Sequence, residues 1–168
     1  MRPVGIQKTK SILVSQWVAE YLAHAEAVKT CGAYKRDVRT LALFSAHAGT
    51  ACDLRSVDLK MMEAWVNRRV QTVAASTVNR DLNTIRNAFN KAIEWGYLGQ
   101  SPCRYLKDLR AQRLLPRYYS RDEVRQILEA AGEHRPIVEL FYYTGARLSE
   151  LLFLQWRDIS GGNFVIKN

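Results

Sequence analysis

Ser76-Thr77-Val78-Asn79-Arg80-Asp81-Leu82-Asn83-Thr84-Ile85-Arg86-Asn87-Ala88-Phe89-Asn90-Lys91-Ala92-Ile93-Glu94-Trp95 places Val78, Leu82, Ile85, Phe89 and Ile93 at intervals of three or four residues. That period brings one apolar stripe to one side of an α-helix. The spacing therefore predicts a helix over residues 76–95, with Gly96 just past the last periodic residue as its stop. The opposite, polar face offers Asn79, Arg80, Asn83, Arg86 and Lys91.

Three more helices are predicted upstream by the same pattern. One runs from about Ser11 to Glu26, with Val14, Trp17, Val18, Tyr21, Leu22 and Ala25 on one face. The next spans about Cys31 to Ala48, with Tyr34, Val38, Leu41 and Phe44 inward, Thr30 as its N-cap and Gly49 as its stop. The third covers about Asp58 to Gln71 and buries Met61 or Met62, Trp65 and Val66. Four amphipathic helices in succession predict a helical bundle over residues 11–103, in which the aromatic residues are core.

Beyond the bundle, Arg104, Lys107, Arg110, Arg113 and Arg117 occur with a single acid, Asp108, and Pro116 interrupts the stretch. Such a basic, non-periodic segment at 104–117 reads as an interdomain linker, or as a solvated loop without a partner. Helical spacing resumes at Ser120, where Ser120-Arg121-Asp122-Glu123 fits a capping box and Val124, Ile127 and Leu128 face inward. A second helix is expected over about 135–143. After the turn at Gly145 a third is expected to bury Leu148, Leu151, Leu152 and Phe153. Asn163 to Ile166 read as a strand with no partner, which leaves the region 118–168 as a cut-off second domain.

Charge is distributed unevenly along the 168 residues. Residues 1–118 hold 19 Lys and Arg against 9 Asp and Glu, whereas residues 119–168 hold 6 against 7, giving the net +9. All the excess positive charge therefore precedes the last segment, as in a phosphate-binding module. A basic, solvated surface accounts for the same counts. Cysteines 31, 52 and 103 are odd in number and widely spaced, which fits reduced packing thiols rather than a disulfide framework or zinc site. No apolar run approaches the length of a membrane helix and the first residues lack a signal peptide's apolar core, so a cytoplasmic protein is expected.

The stretch Thr144-Gly145-Ala146-Arg147-Leu148-Ser149-Glu150-Leu151, followed by Asp158-Ile159 and a strand, resembles the motif that opens the active site of tyrosine recombinases, the phage-integrase family. The upstream order also resembles that family, with a helical bundle, a basic linker and then a Ser-x-x-Glu helix. Residues 76–86 look like its core-binding domain. The resemblance covers nearly the whole chain from about Ser11. It implies a mainly α architecture, in which a four-helix SAM-like core-binding domain is followed by the helical start of a mixed α/β catalytic domain.

The resemblance further implies site residues. Arg147 matches the family's first catalytic arginine, a planar fork suited to a phosphate whose charge develops during strand cleavage. Glu150 then supports it, although an ordinary ion pair at i, i+3 is the plainer reading of the same two residues. Lys167 is the candidate for the family's hairpin lysine. The family's His-x-x-Arg box and tyrosine nucleophile find no counterpart here: His24, His47 and His134 all precede Arg147, and Tyr142 and Tyr143 are expected to be core.

For contact with double-stranded DNA, the family's two groove-facing helices correspond to Lys29, Thr30, Lys35, Arg36 and Arg39 on the second helix and to Ser76, Thr77, Asn79, Arg80, Asn83, Arg86 and Lys91 on the fourth. Arg110 and Arg113 add the linker. No metal, nucleotide cofactor or membrane is implied. Whole family members assemble as tetramers on paired DNA sites, and a monomer is one reading of this chain. The expectation is the DNA-binding portion of a site-specific recombinase with a truncated catalytic domain. The alternatives are a non-catalytic accessory or regulatory DNA-binding protein sharing the bundle, and a helical protein-interaction module.

Overall fold

The computed structural model describes residues 10–111 and 115–159, and the backbone of 160 and 163–164. The fold is mainly α, with helices α1 (Val14–Val28), α2 (Cys31–Ala48), α3 (Leu59–Val70), α4 (Ala75–Glu94), α5 (Arg121–Ala130), α6 (Arg135–Thr144) and α7 (Leu148–Leu152). Two short strands, β1 (Ile159–Ser160) and β2 (Asn163–Phe164), complete it. The chain divides into two units, Met1–Arg113 and Leu114–Asn168.

In the first unit the four predicted helices enclose an aromatic core. Trp17 of α1 stacks on Phe89 of α4 with centroids 4.9 Å apart, and Phe44 of α2 meets both rings edge-on. Trp65 of α3 closes the cluster against Phe44. Val14, Leu41, Leu54, Met62, Val78, Leu82 and Ile85 fill the remaining space and are fully buried. Met62, not Met61, takes the core position of α3. Gly49 (φ 93°) and Gly96 (φ 79°) end α2 and α4 in the left-handed region that residues with a Cβ avoid.

Helix α1 starts three residues later than its periodicity suggests. Residues before it are held extended: Val14 N donates to Cys52 O (2.8 Å) and Leu54 N to Ile12 O (2.9 Å), around a bridge between Leu13 and Asp53. Those backbone bonds, about 40 residues distant in sequence, outcompete an extra helical turn. Thr30 occupies the N-cap position of α2, but its side chain makes no capping bond. Asp58 caps α3 instead by direct acceptance from Met61 N at 2.7 Å.

Polar groups also fasten α2 to α4. Thr84 of α4 donates to Asp37 Oδ1 of α2, and Thr40 of α2 donates to Asp81 Oδ1 of α4, both at 3.2 Å. The two aspartates are 2% and 7% exposed. Each has a cation on its second oxygen, Lys29 on Asp37 and Arg69 on Asp81. Buried carboxylates persist only when paired and hydrogen-bonded in this way. The reciprocal arrangement fixes the register of α2 against α4.

The second unit has a different character. Its capping box is present, with Ser120 N donating to Glu123 Oε2 (2.8 Å) and Glu123 N to Ser120 Oγ (3.2 Å). The expected inward positions, however, are not buried. Ile127, Leu148, Leu152 and Phe153 are exposed, Phe153 to 81%, and Val124, Leu128 and Leu151 are half-buried. Tyr142 and Tyr143 are likewise exposed, packed edge-on against each other and not in a core. Three short helices and a hairpin have too little opposing surface to enclose these side chains. Strand Asn163–Phe164 does have a partner: it pairs antiparallel with Ile159–Ser160. Val165, Ile166 and Lys167 lie outside the described residues.

Candidate nucleic-acid interface

Because α2 and α4 are locked side by side, their polar faces border one groove of about 390 Å³. Lys35, Arg36 and Arg39 reach it from α2, and Thr77 and Arg80 from α4. Thr40 and Asp81 belong to its floor. Lys35, Arg36, Arg39 and Arg80 have no carboxylate within ion-pair reach among the described residues. Four unneutralised cations around a concave surface concentrate a positive potential there. Residues that are far apart in sequence, predicted on two separate helices, are thus brought together.

Arg69, at the end of α3, lines the same groove, and the sequence pattern did not point to it. It reaches the site because Asp81, twelve residues on, accepts from its Nε at 2.9 Å. Nothing in the local pattern of α3 signals that pairing.

Other predicted residues hold different posts. Asn79 is clamped to the linker: its Nδ2 donates to Leu109 O (2.9 Å) and its Oδ1 accepts from Leu109 N (2.8 Å). Its amide thus imitates a backbone neighbour in a sheet. Arg86 donates to Leu106 O (2.8 Å), to Asp108 (2.6 Å) and to Asn83 Oδ1 (3.1 Å). Asn79 and Arg86 therefore tie the beginning of the linker to α4, while Asn83 bonds only to Arg86 on the same helix and is the exposed one of the three. Lys91 pairs with Glu94 at 2.6 Å, and Lys29 is held by Asp37 and by the Tyr21 hydroxyl. Burial pushes the Tyr21 hydroxyl above its ordinary pKa. Ser76 stands exposed on the first turn of α4, while the Thr77 amide is already bonded to Ala74 O at 2.9 Å. Arg110 is exposed, and Arg113 lies outside the described residues.

In the second unit, Gly145 (φ 62°, ψ 13°) ends α6 in the left-handed conformation, and Arg147 is the N-cap of α7. The Glu150 carboxylate accepts from Arg147 N and from its Nη1, both at 2.7 Å. The Arg147 side chain is nonetheless 81% exposed, whereas that of Glu150 is 15% exposed. Bonding to the Arg147 backbone amide, and next to its guanidinium, holds the Glu150 carboxyl below the usual glutamate range. The pair is an i, i+3 ion pair whose guanidinium presents its outer edge to solvent. Among the described residues no cluster of His, Cys, Asp and Glu has the makings of a metal site. No helix among them is long and apolar enough to cross a membrane.

Residues 9–96 match the family model of the phage integrase N-terminal SAM-like domain. A tyrosine recombinase XerC of Xanthomonas campestris pv. campestris (strain B100) is 28% identical over 154 residues, covering 84% of this chain and 48% of the relative. One of Mycobacterium sp. (strain KMS) is 29% identical over 162 residues, covering 88% and 54%. The chain thus spans about half the length of these curated relatives. Among solved structures, a lambda integrase dimer bound to a COC′ core site superposes with a TM-score of 0.78 at 21% identity, over 96% of this chain and 48% of that one. The Tn1549 transposon integrase in complex with circular intermediate DNA gives 0.78 at 20%, over 93% and 54%. At such identities the structural likeness is one of fold. With more than half of its residues matched by that family model, the chain belongs to the phage-integrase family, and residues 9–96 are its N-terminal SAM-like, core-binding domain.

Proposed function

We propose that this chain is the DNA-binding portion of a tyrosine-type site-specific recombinase and that duplex DNA is its partner. The observation that carries the reading is the groove between α2 and α4, where Lys35, Arg36, Arg39 and Arg80 converge without acidic partners. Cations arrayed in this way suit the phosphates of a duplex backbone, and phosphate contacts supply most of the affinity of such modules. Lambda integrase, a relative in fold, is described as bound to DNA as a dimer and as a tetramer, which supports the choice of partner.

Arg147 is proposed to be the first arginine of the strand-cleavage site, with Glu150 orienting it. Its role is electrostatic: a fixed guanidinium stabilises charge on the phosphate as a tyrosine attacks it. The 168 residues are proposed to bind DNA without forming a covalent link by themselves, since no tyrosine follows Arg147 among them and covalent catalysis requires the nucleophile. Lys167 is proposed to be the counterpart of the family's hairpin lysine. No metal or nucleotide cofactor enters the scheme.

Titrating labelled duplex DNA with the chain at several salt concentrations tests the binding. Affinity should fall by roughly 10³-fold or more between about 50 and 200 mM salt if six or more phosphates are contacted. Absence of binding at low salt would favour a protein-interaction module. A suicide substrate tests the second half of the proposal, and a covalent protein–DNA adduct would refute it.

A further inference from the structure

We propose that Arg69, pinned on the buried Asp81, grips a DNA phosphate directly and so carries the interface from α2 and α4 onto the end of α3. The inference rests on the reading of the groove as a duplex-binding surface. Arg69 lies where two clefts meet. One is the groove already described, and the other, of about 300 Å³, runs between α2 and α3 and is lined by His47, Arg68 and Thr72.

The hydrogen bonds of Arg69 leave it poised for an anion. Nε donates to Asp81 Oδ2 at 2.9 Å and Nη1 to Thr72 Oγ1 at 3.2 Å. A guanidinium carries five N–H groups. Three therefore have no acceptor among the described residues, although only 15% of the side chain is exposed. Asp81 cannot swing away, because it is 7% exposed and Thr40 holds its other oxygen. An arginine ordered in advance loses little conformational freedom when it meets a phosphate, and its flat fork matches two phosphate oxygens.

Asp81 also sets what kind of contribution Arg69 makes. The pair is neutral overall, so long-range attraction comes from the unpaired cations on α2 and α4, while Arg69 acts by direction and at short range. A simple tie between α3 and α4 would predict the same ion pair but no effect on DNA.

The charge-neutral double variant R69Q/D81N separates these roles, because it removes the fork without changing net charge. Its affinity for duplex DNA is expected to fall about tenfold, the size of one charge-assisted contact. Neutral methylphosphonates placed one at a time along the duplex provide the specific readout. One of them should weaken the parent chain and leave the double variant indifferent, a coupling that a structural tie would not produce. Parental affinity in a folded double variant, or no such coupled phosphate, overturns the proposal. If the double variant does not fold, R69K serves, keeping the charge and losing the fork. A severalfold loss is then expected, and parental affinity again refutes the role. Failure of the parent chain to bind DNA at all would instead bring down the underlying reading of the groove.

Discussion

Replacing Arg36 and Arg39 together by alanine removes two cations of α2 that no acid neutralises among the described residues. Salt titration of DNA binding should show weaker affinity and a slope flatter by about 0.9 for each phosphate that is no longer neutralised. Thermal unfolding should scarcely change, because neither side chain packs in the core. Asp37 behaves oppositely. Asp37→Ala leaves the Thr84 hydroxyl without its acceptor and frees Lys29, whose side chain is 28% exposed and turns to water. A stability loss of about 2 kcal/mol is expected, checked by urea denaturation. At this scale the sequence was only partly legible. Positive charge at Lys35, Arg36, Arg39 and Arg80 could be read from residue type and helical position. The use of Asn79 and Arg86 could not, since an amide or guanidinium on a polar helix face serves a phosphate and a neighbouring backbone equally well.

Elements show where local pattern suffices. The predicted bounds of α2 coincide with Cys31–Ala48, and α3 and α4 differ from expectation by a single residue at each end. Apolar residues every three or four positions, ended by glycines, carry that information within each segment. Helix α1 departs because its first residues bond to the 52–54 segment instead. The linker is the clearest case of an element organised from outside itself. Asn79→Ala removes both bonds to Leu109 and should expose Arg104, Lys107 and Arg110 to trypsin several times faster, with the bundle still folded. Unchanged cleavage would show that the linker does not depend on this clamp. The caps of α5 and α7 should be sensitive to acid. Backbone amides hold the carboxyls of Glu123 and Glu150 below the ordinary range. Their contribution is complete above the unfolded glutamate pKa and is lost as pH falls through the depressed folded values. Circular dichroism of E123Q and E150Q should show less acid-induced loss of helix than the parent.

Across the whole molecule the two units differ in how much they bury. Trp17, Phe44 and Phe89 are fully enclosed in the first unit, and Phe89→Ala should cost about 3–5 kcal/mol. The second unit has no buried side chain among its described residues, and Trp156 there is 88% exposed. Amides of α5, α6 and α7 should accordingly exchange with deuterium much faster than those of α2 and α4. Equal protection would show that the second unit is as well packed as the first. What the sequence determined by itself was the set of helices, the family resemblance at Arg147 and Glu150, and the side of the chain on which positive charge collects. Each is written in residues close together along the chain, where period and charge suffice. Tertiary structure alone decided that Arg69 joins the groove, that Asn79 and Arg86 hold the linker, and that α2 and α4 lie in one register. Those outcomes rest on partners 12 to 47 residues apart, and such pairings form only once packing has brought the helices together.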